Sequence, residues 1–359
     1  MASWWKKVFG SSEPAQSDAS RPAESAPPAA ESSEESSSPV AVAEPEPNGV
    51  NPASQPWWEQ IDQLVAIGDR MVPVAGEKEA GIVQRVEQRL RSGSFPLPVL
   101  PFTLLKAIEL SNAAEPDLAA LAHCVRSDAV IAGEVMSLVN SAAYMPSQPI
   151  KDLHRAVVHA GARRARALMI GVAARLTVFR NVDTRRAQML WAHALACGVL
   201  SRAIARASAA DPEEAFLGGL LHDIGKTVIL GLVAEEERAN VGVAVPDSLV
   251  DKLCDEAHSG VGAKIAEQWR LQPELAEAIE HHHGLHPKSG SLVAIVSLAN
   301  DVCGSLGIGV ERRKVSLGNH RAFPILGLEA AKGHKLLQLL PAVLEEAPEF
   351  KGVAKKALG

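Results

Sequence analysis

In the stretch Phe216-Leu217-Gly218-Gly219-Leu220-Leu221-His222-Asp223-Ile224-Gly225-Lys226, an apolar run meets an adjacent His-Asp pair and then a lysine. His222 and Lys226 are four apart, and Asp223 and Lys226 three apart, so on one helix they share a face. Leu217, Leu220, Leu221, Ile224 and Val228 fall on the other side, which predicts a buried helix with one polar stripe. An imidazole nitrogen beside a carboxylate oxygen suits a divalent transition metal. A buried His-Asp hydrogen bond has the same sequence, so the pair gains weight only from its company. His193, His258 and either His282 or His283 fall on separate predicted helices, and a bundle can aim them at one centre. Seven of the twelve histidines lie between residues 193 and 286, which favours a metal site. The competing reading makes His281-His282-His283 a solvated helix end, placed there by the helix dipole.

The elements that would carry these residues read as helices throughout. Ile82, Val83, Val86 and Leu90 mark an amphipathic helix stopped by Gly93. Phe95 to Pro101 cannot be helical, because each proline restricts its predecessor; it is a rigid apolar strap. Helices follow over 102–112, over 118–125 with Asp117 as N-cap, and over 128–141. Asn140 and Ser141, at a helix end, are expected to cap a neighbouring backbone segment. A helix from Leu153 stops at Gly161, and the next, from Arg163 to Leu176, carries the basic run Arg163-Arg164-Ala165-Arg166, read as a solvated face. Further helices are predicted from Trp191 to Ala207, from Asp211-Pro212 through the His-Asp pair, over 251–269, 273–283 and 291–303, and over 328–344. Residues 307–327 are Gly-rich and give no clear pattern. No alternation of period two and no βαβ pattern occurs, so the fold class is all-α.

The chain has 359 residues, 47% apolar and 22% charged, an ordinary globular composition. Aromatic residues make up only 4%, which disfavours a sandwich or barrel. The net charge of -6 argues against nucleic-acid binding. Cys124, Cys197, Cys254 and Cys303 form no C-x-x-C, so neither a cysteine metal site nor a disulfide framework is expected. No apolar run is expected to be long enough to span a bilayer, and no secretory signal opens the chain. Residues 1–55 are rich in Ser, Pro, Glu and Ala and are expected to be disordered. At their start Trp4, Trp5, Val8 and Phe9 share a helical face. They read as an anchor for a partner groove or, weakly, a membrane surface, against the plainer reading of a frayed terminus. Trp57-Trp58 opens the ordered part as a packing staple.

Several motifs taken together resemble a known family. Phe95 to Pro101, Leu138-Val139-Asn140-Ser141-Ala142-Ala143-Tyr144, Pro149-Ile150 and Gly219 to Lys226 are similar to the HDOD family, the HD-related output domain, within the HD superfamily of metal-dependent phosphohydrolases. The resemblance covers residues 92–305. It implies an HD-like helical bundle, with an N-terminal helical subdomain over 92–180 and an HD-like one over 181–305. Residues 56–91 would be a helical extension and 306–359 a C-terminal closure. It also implies that His193 corresponds to the first histidine of HD proteins, and His222 and Asp223 to the naming pair. His258 and His282, with His283 as the alternative, correspond to the additional histidines of two-metal members. The last acidic ligand of the family should follow an alanine; here Asn300 stands there, beside Ala299. Asp301 is one residue late and turned by about 100° on a helix, so it is no simple replacement. The Gly-Tyr-Pro signature of cyclic-di-GMP phosphodiesterases is absent, the chain reading Gly284-Leu285-His286-Pro287.

Two functions follow from the resemblance. One is a bacterial cytoplasmic signalling module that binds partner proteins without catalysis, with its histidines a core relic or a fold-stabilising metal site. The other is a hydrolase of a phosphate ester or cyclic nucleotide. It would hold one or two ions of Fe, Mn or Zn to activate water, with Lys226 steadying the developing charge. Asn300 counts against the second. Nucleic-acid binding through Arg163, Arg164 and Arg166 is the least favoured.

Overall fold

The structure, a computed structural model, describes residues 76–111, 113, 115–140, 148–179, 185–309 and 315–345. Trp4, Trp5, Val8, Phe9, Trp57, Trp58 and Ser141 to Tyr144 lie outside the described residues. Among the described residues there are thirteen α-helices and no strand, as the all-α reading requires.

Helix α1 (Glu77–Ser92) buries Ile82 and Val86 and ends at Gly93, whose φ of 71° suits a residue without Cβ. The strap that follows has no regular secondary structure, and the Trp269 indole donates to the Pro98 carbonyl at 2.9 Å. Four helices then pack together: α2 (Phe102–Ser111), α3 (Leu118–Arg126), α4 (Ala129–Val139) and the long α5 (Leu153–Ala174). Asp117 and Asp128 cap α3 and α4, each accepting from two backbone N–H groups. Asn140 ends α4 and grips Ile150 on both sides: its Nδ2 donates to the Ile150 carbonyl at 2.9 Å and its Oδ1 accepts from the Ile150 N–H at 2.8 Å. This fulfils the capping role expected of it. Asn140→Ala should cost about 0.5–1.5 kcal/mol, because two backbone groups exchange their partner for water. Chemical denaturation checks this, and a loss below about 0.5 kcal/mol would mean that water replaces the amide at no cost. Helix α5 contains the expected break at Gly161, with φ 75° and ψ 170°, and runs into a π-helical turn at Arg175–Phe179.

The second group comprises α6 (Arg185–Ala207), α7 (Pro212–Leu221), α8 (Ile224–Ala239), α9 (Asp247–Gln268), α10 (Pro273–His281) and α11 (Ser291–Ser305). A short α12 (Ala322–Ile325) lies in the Gly-rich region, and α13 (Ala330–Glu345) packs on α6. One continuous apolar core runs from Ile82 to Leu344, so the two helical groups share it. Helix α1 lies against α8 and α9, held by Arg85–Glu236 at 2.7 Å and Arg89–Glu235 at 3.2 Å.

Four expectations need correction. The His-Asp pair is not inside one helix: α7 ends at Leu221, Asp223 has φ -100° and ψ 10°, and α8 starts at Ile224. Helix α6 begins at Arg185, six residues before Trp191, so His193 is well inside it. The stretch Pro212–Ala239 does have the length of a membrane span, and an 18-residue window in it a mean hydropathy of 1.5, but 89% of that window is buried in the fold as core. The basic face of α5 is not a bare solvated stripe: Arg163 pairs with Asp211 at 2.7 Å and Arg164 with Glu213 at 3.0 Å.

Candidate metal centre

Close helix crossings bring the histidines together. Helices α6 and α7 meet at Gly219, where a Cβ would come within 2.5 Å of the Cys197 carbonyl oxygen. That approach places His193 of α6 beside His222 at the end of α7. Helix α9 brings in His258, α10 ends at His282, and α11 carries Asn300. His193, His222, Asp223, His258, His282 and Asn300 are all buried.

Hydrogen bonding fixes which ring nitrogens are bare. The Nδ1 of His193 faces the Ile308 carbonyl at 2.8 Å, that of His222 the Gly219 carbonyl at 2.8 Å, that of His258 the Cys254 carbonyl at 2.6 Å and that of His282 the Ile279 carbonyl at 2.8 Å. A carbonyl can only accept, so each Nδ1 carries the proton and each Nε2 presents a lone pair. This is the arrangement of ligating histidines held by a backbone partner behind the ring.

The bare atoms converge in two clusters. In the first, His193 Nε2 lies 3.2 Å from His222 Nε2 and 3.1 Å from Asn300 Oδ1, and Asp223 Oδ2 is 3.5 and 3.4 Å from the two rings. In the second, His258 Nε2 lies 3.3 Å from His282 Nε2 and 3.0 Å from His283 Nε2, with Asp223 Oδ1 3.4 Å from His258 and 3.8 Å from His282. Two imidazoles on one ion, each about 2.0–2.1 Å from it, stand roughly 3.0–3.4 Å apart, so these spacings match the edges of a coordination shell. Neither oxygen of Asp223 receives a well-directed hydrogen bond, although Lys226 Nζ lies 2.9 Å from Oδ2 as an ion pair. A shared cation would relieve lone pairs that face one another in a buried place. The donor set therefore fits a divalent transition metal, for which the imidazoles and Asp223 are suitable ligands.

Burial is the largest influence on Asp223 and would raise its pKa. His222 and Lys226, the largest opposing influences, outweigh it and hold the carboxyl well below the usual range. Burial lowers the pKa of His258 and, more strongly, that of His282, so both rings are neutral. Unfolded, these histidines titrate near 6.5, so below that pH the unfolded chain binds more protons than the native one. Stability of the metal-free protein is thus complete above about pH 6.5 and declines as the pH falls toward the depressed native values. Thermal melts of chelator-treated protein from pH 7 to pH 5 should show a falling Tm; a flat profile would contradict neutral burial of these rings.

Every expected ligand lies at this centre. His282 and His283 both place a ring nitrogen in the second cluster, while His281 stays exposed. Asp301 is turned away and accepts from His320 Nε2 at 2.9 Å, while His320 Nδ1 accepts from the Ala322 N–H at 3.1 Å. His320 therefore pins the loop before α12. Against expectation, two cysteines do reach the centre: Cys197 and Cys303 lie with His193 in a buried group. Cys197 Sγ sits 3.6 Å from His193 Nε2 and 4.0 Å from its Nδ1, alongside the ring. A spacing of 106 residues hides the two thiols from any local motif.

The helical fold and a histidine cage built around one carboxylate define an HD-type domain. The chain belongs to the HDOD family, whose domain model matches residues 97–285. It shares its fold with an HDOD domain protein of unknown function from Geobacter sulfurreducens (TM-score 0.58, 22% identity, 76% of this chain and 98% of that one). It also shares it with a protein from Shewanella amazonensis SB2B named, without established activity, a metal-dependent phosphohydrolase (TM-score 0.54, 16% identity, 74% and 99%). By sequence it is 27% identical over 220 residues to an uncharacterized protein of Treponema pallidum (strain Nichols), covering 57% of this chain and 41% of that one. It is 31% identical over 122 residues to a ribonuclease Y of Mycoplasma mycoides, covering 34% and 24%. The chain thus spans less than half the length of these curated relatives.

Proposed function

We propose that this protein is a bacterial cytoplasmic signalling module that works by binding partner proteins, and that its HD-type centre holds metal to fix the helices rather than to hydrolyse a substrate. One observation carries this reading: Asn300 Oδ1, 3.1 Å from His193 Nε2, occupies the place where the family pattern has a carboxylate. Among the described residues the cage has a single carboxylate, Asp223, and that one is buried and already paired with Lys226. A neutral amide adds no charge to balance an ion and is a weak ligand for a transition metal. Fe, Mn or Zn would be held by histidines of the centre and Asp223, drawing together the helices that supply them.

The partner-binding half of the proposal has its own support. Val99, Phe102 and Leu105 are apolar and exposed, Phe102 by 81%, and lie together on the strap and the first turn of α2. Exposed aromatic surface of this kind is a common docking anchor. Phe102→Asp should leave the melting temperature within about 1 °C, since a surface change costs little. It should also remove the proteins that the wild-type chain retains in a comparative pull-down. Identical retained proteins would move the docking site elsewhere.

The hydrolase reading keeps one supporting feature, the pairing of Lys226 with Asp223 at the centre. Bound metal would there supply Lewis-acid chemistry, with Lys226 placing positive charge near a phosphate ester or cyclic nucleotide. Phosphodiester hydrolysis with Mn²⁺ or Fe²⁺, in protein shown to contain metal, decides between the two. Turnover abolished by Asp223→Asn would overturn the non-catalytic proposal.

A further inference from the structure

The two clusters are not equivalent, and the difference lies in which oxygen of Asp223 each one faces. Oδ2 is turned toward His193 and His222, and the ammonium of Lys226 already lies 2.9 Å from it. An ion entering the first cluster would meet that fixed positive charge beside Oδ2, two imidazoles, the neutral amide of Asn300 and the buried Cys197 Sγ, 3.6 Å from His193 Nε2. Oδ1 is turned toward His258 and His282, and His283 completes a set of four ligand atoms within 4.8 Å of one another. There the donors are three imidazoles and Oδ1 of Asp223, the ion pair with Lys226 being at Oδ2. Two ions would also have to share the charge of one carboxylate, which favours a single ion.

Access points the same way. His193, His222, Asp223, His258 and His282 are buried, whereas His283 is exposed and lines a cavity of about 280 Å³ with Ser297, Asp301, Ser316 and Arg321. An ion can therefore enter at His283 and keep an exchangeable face toward that cavity. We propose that this chain binds one divalent transition-metal ion, and that it lies in the second cluster, between Asp223 Oδ1, His258, His282 and His283, instead of at the His222-Asp223 pair with His193. The inference rests on the reading above that the centre holds metal.

The test is metal stoichiometry in the full chain loaded with Co²⁺, desalted, and measured by mass spectrometry of the element. Wild type should carry one ion per chain, and His193→Gln should keep it. His258→Gln should lose it at least tenfold, with circular dichroism to verify the fold. Asn300→Asp, which adds the missing carboxylate to the first cluster, should raise the content to two ions. Should His258→Gln not fold, loss of the ion in His193→Gln together with no gain in Asn300→Asp overturns the assignment, as does a wild-type content of two. Those results would leave a metal-holding module intact. Absence of cobalt from every variant would instead overturn both the assignment and the metal-holding function.

Discussion

Asp223→Ala should give the largest loss of any change in the centre, lowering stability by about 3–5 kcal/mol and the melting temperature by roughly 10 °C. Asp223 is 3% exposed, and its two oxygens are the bridge between the clusters. It is also the carboxylate paired with Lys226, a buried lysine. Removing it leaves an ammonium among imidazoles in a place that water reaches poorly, and the cost of an uncompensated buried charge dominates the effect. Asp223→Asn separates volume from charge: the side chain still fills its place, but the attraction to Lys226 is gone. Both variants should lose bound metal, and both should melt alike with and without chelator, whereas wild type should melt lower once chelated. Thermal unfolding with elemental analysis is the measurement. An unchanged melting temperature in Asp223→Ala would mean that the polar centre contributes nothing to the fold.

Much of this centre could be read from residue types and spacing, because the relevant signals are local. Asp117 before an apolar run, Gly93 after one, and prolines at every second or third position of the strap each act through their own backbone. Asn300 beside Ala299 stands out only through the family resemblance, and its amide does sit against His193. What escaped the sequence depends on contacts between distant segments. Leu220-Leu221-His222-Asp223-Ile224 has the composition of an unbroken helix, and the break at Asp223 lies two residues before the close approach of α8 to α9 at Gly225. Three consecutive histidines cannot say which of them turns inward. His282 goes in because α10 ends there, and its Nδ1 then reaches the Ile279 carbonyl. The arginines of α5 read as solvated because their partners, Asp211 and Glu213, lie almost fifty residues away at the start of α7. Cys197 and Cys303 look inert for the same reason, one being on α6 and the other on α11.

That close approach of α8 to α9 is the basis of the second large effect, expected for Gly225→Ala. A Cβ on Gly225 would overlap the backbone carbonyl oxygen of His258 and come within 2.8 Å of the Gly262 backbone nitrogen. Neither atom can swing away as a side-chain tip could, so the whole of α9 must shift. Overpacking in a close-packed interior typically costs 1–3 kcal/mol, and a backbone-to-backbone clash belongs at or above the upper end, about 3 kcal/mol. The displaced element is the one that carries His258, whose Nε2 stands 3.0 Å from His283 and 3.3 Å from His282. A shift of even 1 Å would take these nitrogens out of the range of a shared ion. Gly225→Ala should therefore lose metal at least as fully as a ligand substitution, although residue 225 offers no ligand atom. Gly231→Ala is the control on the same helix, where nothing lies within 4 Å of the added carbon. It should be neutral or slightly stabilising, because alanine favours the helix. If the two substitutions destabilise equally, helix propensity and not the α8–α9 approach governs, and the route by which sequence positions the second cluster is something other than this glycine contact.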